Sequence, residues 1–157
     1  MASAGKNGSM MLRLYRVPYF DPIDSDLVRL LFEGMVTGES ADRARIPFYM
    51  YVWINSARQV TGFQAVFDEE MTATYKAPSV LTFGRIGQNP VNRTIEECEE
   101  SETRESLARA VAGMSNREFS DLVDWSARLV SGETSPNCYT LNHRESRELS
   151  TLTSERP

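Results

Sequence analysis

The run from Phe48 to Ile54 is the most apolar stretch of the chain, with Phe48, Met50, Val52 and Ile54 alternating with Tyr49, Tyr51 and Trp53. Successive side chains of a strand point to opposite faces, so this strand is apolar on both sides. Each face then needs a cover. Helices packed on a sheet supply it for one side, and the other is buried by a second layer or left to bind something.

The flanking sequence reads as more strands. Residues 55–59 form a turn, and Val60 to Phe67 return with Phe63, Ala65 and Phe67 on one side. Asp68, Glu69 and Glu70 make a charged turn into Met71 to Tyr75, and Pro78 separates that segment from Val80 to Ile86. Gly84, Gly87 and Pro90 are expected to end the sheet. Connections this short permit antiparallel pairing only, because parallel pairing needs crossovers. The four runs therefore predict an antiparallel meander.

Upstream, Leu12 and Leu14 alternate with Arg13, the mark of a short strand closed by Pro18 and Pro22. Asp24 or Ser25 can cap a following helix in which Leu27, Leu31 and Met35 recur beside Val28, Phe32 and Val36, with Gly38 as its stop. Residues 39–47 read as a charged loop.

Downstream, Thr94 and Glu97 have capping-box spacing, and Glu100 with Arg104 and Glu105 with Arg109 are helix-stabilising pairs. Leu107, Ala108, Val111 and Ala112 give that helix its apolar stripe before Gly113. Ser115 and Glu118 have the same capping-box spacing ahead of a second helix carrying Phe119, Leu122, Val123, Trp125, Ser126, Leu129 and Val130, ended by Gly132. From residue 133 onward eight of twenty-five residues are Ser or Thr, with no apolar period. This segment is expected to be disordered.

The predicted fold is thus α+β: strand and helix, a four-stranded antiparallel meander, then two C-terminal helices packed on the sheet. Its organisation is a flexible segment at 1–10, one domain at 11–132 and a polar tail at 133–157. Met1 to Met10 lacks the apolar core of a secretory signal, and no stretch approaches transmembrane length, so a soluble cytoplasmic protein with no membrane partner is expected. The triplets at Asn7 and Asn92 match the glycosylation acceptor pattern, which has no consequence in that compartment.

Charge and composition narrow the function classes. A formal net charge of −5 disfavours a whole-chain grip on nucleic acid, which depends on neutralising phosphates. Fifteen of the seventeen basic residues are Arg, from base composition or from selection for bidentate anion contacts. Cys98 and Cys138 are too few for a disulfide framework, and His143 is the single histidine. No CxxC, HxxxH or HExxH spacing supports a metal, so no metal and no cofactor are assigned. A nucleophile–histidine engine would need a base from the tail. The carboxylates Asp21, Asp24, Asp68, Glu69 and Glu70 also suit turns and caps, so no catalytic residue is named and an enzyme is disfavoured.

Four features remain. Tyr49, Tyr51 and Trp53, joined across strands by Phe63, Phe67 or Tyr75, form a candidate interface. The same patch with Trp125 is a candidate pocket. Gly84 to Gly87 has the form of a phosphate clamp, but its setting is that of a strand-ending turn, since no helix amino end follows. The acidic residues Glu96, Glu97, Glu99 and Glu100 form a candidate docking surface for a basic partner, or a solvated helix start. Arg147 three residues before Ser150 matches a basic-directed kinase site within an otherwise ordinary tail. These features predict a non-catalytic intracellular binding or regulatory protein acting through a protein–protein interface, including self-association into a homo-oligomer. The alternative is a small-ligand domain with an apolar pocket between the sheet and the helix at 115–130.

Overall fold

A computed structural model of the chain describes residues 10–14, 19–20, 26–37, 45–87 and 94–154. In chain order they form β1 (Met10–Met11), β2 (Arg13–Leu14), β3 (Tyr19–Phe20), β4 (Val28–Thr37), β5 (Arg45–Ile54), β6 (Gln59–Phe67), β7 (Met71–Lys76), β8 (Val80–Ile86) and β9 (Ile95–Glu97). Then follow α1 (Glu100–Val111), β10 (Met114–Ser115), α2 (Ser120–Ser131), β11 (Tyr139–Thr140) and α3 (His143–Ser154). The α+β class is as predicted. The expected meander is β5 to β8, but it is the middle of a nine-stranded antiparallel sheet in the order β2-β4-β5-β6-β7-β8-β9, with β3 beside β4 and β11 beside β6.

The largest departure is β4, a strand of ten residues where a helix is predicted. Leu27, Leu31 and Met35 recur every four residues, and four is an even number. The spacing that stacks them on a helix also places them on one face of a strand, with Val28, Phe32 and Val36 on the other. Pairing along the whole of β5, from Val28 opposite Ile54 to Thr37 opposite Arg45, decides between the two. Gly34 suits this place because a Cβ there would lie 2.9 Å from the Met11 carbonyl, where β1 crosses.

The sheet also extends past its predicted end. Gly84 lies inside β8, and β9 pairs with Gly84 to Ile86. Thr94 therefore precedes a strand and Glu97 ends it instead of their capping a helix; α1 begins at Glu100, and its cap residue Glu99 makes no side-chain cap bond. Ser115 likewise lies in β10, and Asn116 is the residue that serves the start of α2, its Oδ1 accepting from the Glu118 and Phe119 amides at 2.9 and 2.7 Å. The stop at Gly132 is as predicted, in the left-handed region at φ 85°.

The segment expected to be a disordered tail contains β11 and α3, and it buries Leu141, Leu149 and Leu152. Met10, assigned to the flexible start, is buried in β1, which pairs in parallel with β10. The predicted caps at Asp24 and Ser25, Asp21, the stop at Gly38, Pro18, Pro22, Pro90, Asn7, Asn92 and residues 39–44 of the loop predicted over 39–47 lie outside the described residues, while residues 45–47 of that loop belong to β5.

One side of the sheet is the core face. Leu30, Phe32, Phe48, Met50, Val52, Ile54, Phe63, Ala65, Ala73, Tyr75 and Phe83 share it and are buried, together with Leu107, Phe119, Leu122, Trp125 and Leu129 from the helices. Burial of each large apolar side chain contributes roughly 1.5–3 kcal/mol, so this layer dominates the stability. No described helix is long and apolar enough to cross a membrane.

Candidate functional site

Strand register separates the candidate aromatic residues into two groups. Phe63, Phe67 and Tyr75 stand opposite or diagonal to Val52, Phe48 and Ala65 on the core face, whereas Tyr49, Tyr51 and Trp53 pair with Val66, Gln64 and Gly62 on the other, outer face. The expected joining of the two sets across strands does not occur. A register irregularity at Trp53 and Ile54 absorbs one residue of β6, and the turn at 55–59 determines which side of β6 meets which side of β5.

On the core face the aromatic residues form an interior cluster. Phe63 stacks on Tyr75 at 5.5 Å, Trp125 meets both edge-on at 5.8 and 5.2 Å, and Tyr139 stacks on Trp125 at 5.1 Å. Asn137 serves their polar atoms: its carbonyl accepts from the Tyr75 hydroxyl at 2.8 Å and its side-chain oxygen from Trp125 Nε1 at 3.3 Å. Burial pushes the Tyr75 phenol up, with the nearby Cys138 as a second cause. Trp125 and the row Tyr49, Tyr51, Trp53 therefore lie on opposite sides of the sheet, so these four do not line one pocket.

Three rows cross the middle of the outer face, beyond which Met35 stands opposite Pro47 and Thr37 opposite Arg45. Arg29, Trp53, Gly62, Lys76 and Val80 make the first; Leu31, Tyr51, Gln64, Thr74 and Thr82 the second; Arg13, Glu33, Tyr49, Val66, Thr72, Gly84 and Glu97 the third. Tyr49, Tyr51 and Trp53 are half-buried. The Arg29 guanidinium lies 5.8 Å from the Tyr51 ring and 5.9 Å from Trp53, within cation–π range. Arg13 bridges Glu33 at 2.9 Å, and Gln64 donates to Thr74 at 3.2 Å. The ring contacts of the helices, Phe119 on Phe32 and Trp125 on Phe63 and Tyr75, fall on the core face.

The acidic candidates sit where β9 passes into α1. Glu96 and Glu97, both exposed, project to opposite sides of β9, in register with Arg85 and Gly84. Glu99 is exposed, and Glu100 is engaged by Arg104 at 2.7 Å. Arg85 joins Glu70 at 2.8 Å to Glu102 at 3.0 Å; desolvation lowers its pKa, but the bond and charge of Glu102 and the charge of Glu70 raise it overall. The four carboxylates share a junction without sharing a face.

Glu145 has the most distinctive setting of any carboxylate and escaped notice in the sequence. It is fully buried at the meeting of two helix starts. One oxygen accepts the Leu122 amide of α2 at 2.7 Å; the other accepts the Tyr139 hydroxyl at 2.7 Å and the Asn142 amide at 3.1 Å. Asn142 Oδ1 in turn accepts from the Glu145 amide at 2.9 Å, so Asn142 and Glu145 form a capping box, the spacing that would have revealed it. Burial, then the bond and charge of Glu145, push the Tyr139 phenol well above the ordinary range. Every bond here closes on another protein group, as in a structural clamp.

Among the described residues no group of three His, Cys, Asp or Glu could hold a metal ion. No protein-family model, curated protein or solved structure matches the chain.

Proposed function

We propose that this is a binding or regulatory protein that acts through a protein–protein interface on the outer sheet face, and that a second copy of the chain is its occupant. The observation that carries this is the placement of Tyr49, Tyr51 and Trp53 on the face opposite the helix ring contacts. Aromatic side chains offer large contact area with little rotamer freedom to lose, which favours them at interfaces.

Charge supports self-pairing. Arg29 and Lys76 lie in the first row and Glu33 and Glu97 in the third, where Arg13 already bridges Glu33, with the uncharged second row between them. A two-fold axis along the second row turns each copy's cationic row onto its partner's anionic row. An isologous interface requires this self-complementarity.

Size-exclusion chromatography with light scattering tests the reading. Wild type should be a dimer, and Tyr51→Glu with Trp53→Glu a folded monomer. Arg29→Glu should weaken the dimer, and adding Glu33→Arg, on the same strand β4, should restore it. A folded, monomeric wild type would refute self-association.

A further inference from the structure

We propose that Ser150 is a phosphorylation site and that its phosphate pins α3 to the β5–β6 turn through Arg58. The turn is a fixed platform: Asn55 Oδ1 accepts from the Ala57 and Gln59 amides at 3.0 Å each, and the Arg58 amide donates to the Asn55 carbonyl at 3.0 Å. Arg58 holds a left-handed backbone at φ 65°, which a non-glycine residue adopts only where its surroundings enforce it. From there it grips the C-terminal segment twice. Its carbonyl accepts the Leu141 amide at 2.8 Å, and its Nη2 donates to Ser150 Oγ at 2.8 Å.

Ser150 is exposed, and Arg147, three residues earlier, lies on the same side of α3. The hydroxyl offers Arg58 one neutral acceptor. A phosphoserine would offer three anionic oxygens with nearly two negative charges, and a guanidinium binds such a group in bidentate fashion. Against this, Ser150 sits in the second half of a 12-residue helix, near the carbonyl end, where added negative charge is disfavoured. The phosphate therefore tightens α3 only while Arg58 is present. Enzyme access requires the last turn to open, and its buried apolar anchors among the described residues are Leu149 and Leu152.

In the modification step the γ-phosphoryl group of a nucleoside triphosphate passes to Ser150 Oγ. A P–O bond forms to Oγ, the bond to the departing nucleoside diphosphate breaks, and the hydroxyl proton passes to the base of a basic-directed protein kinase.

The test treats the full chain with such a kinase and magnesium–ATP, with a control substrate confirming activity. Mass spectrometry should find one phosphoryl group on Ser150, absent from Ser150→Ala. Amide exchange across α3 should then slow about fivefold in wild type, the size of a charge-assisted bond replacing a neutral one, and quicken in Arg58→Ala. No phosphate on Ser150, or equal effects with and without Arg58, would overturn the proposal.

Discussion

The helices α2 and α3 are each 12 residues long and are held in place by different physics. From α2 the residues Leu122, Val123, Trp125, Ser126, Leu129 and Val130 are buried, and Trp125 alone touches three aromatic rings. Only Leu149 and Leu152 are buried apolar residues of α3, and Glu145 is buried with them. An apolar stripe is written in spacing and can be read before a structure exists. A polar anchor is legible only in its local part, the Asn142–Glu145 spacing, and not in its bond to the Leu122 amide 23 residues before Glu145.

Five substitutions can break or sharpen this contrast. Trp125→Ala removes the ring at the centre of the aromatic cluster and should cost about 4 kcal/mol in urea unfolding, as large-to-small changes of this kind do. Glu145→Ala should cost about 3 kcal/mol, because it strands the Leu122 amide, the Tyr139 hydroxyl and the Asn142 amide at once. Glu145→Gln should recover part of that. If Glu145→Ala behaved like a surface change, the account of α3 as a polar-anchored helix would fail.

Tyr139→Phe should cost about 1 kcal/mol near neutrality, the net worth of one hydrogen bond. It should also alter the alkaline limb of the stability curve. The folded-state pKa of Tyr139 is raised, so its contribution is complete below the unfolded value of about 10 and declines as pH rises above it. The phenylalanine variant should show a shallower fall, as read by thermal melts between neutral and alkaline pH. On the exposed side of α2, Arg128→Ala breaks the pair with Asp124 at 3.0 Å and should cost no more than about 0.5 kcal/mol.

The same physics explains what the sequence revealed. The meander β5 to β8, the body of α2 and the Gly132 stop rest on local signals: alternation, helical spacing and a left-handed glycine. The strand β4 was hidden because Leu27, Leu31 and Met35 repeat at a spacing common to helices and strands. The aromatic residues were identifiable one by one, but their division between faces depends on a turn and an irregularity at Trp53 that alternation cannot report. Cys98, which the sequence assigns to no disulfide framework, stands 2.6 Å from the Thr103 hydroxyl at the entry to α1.

The pairing of β1 with β10 bears on the order in which the molecule can assemble. The Leu12 amide donates to the Ser115 carbonyl at 3.0 Å, and Asn116 Nδ2 donates to the Leu12 carbonyl across 104 residues. Closing so long a loop is entropically costly and slows contacts that depend on it. During synthesis on the ribosome the pairing of Met10 and Met11 with β10 therefore has to wait until the link between α1 and α2 has emerged. The pairing of β1 with β10 is among the last contacts to lock, and the β5 to β8 hairpins can form before it.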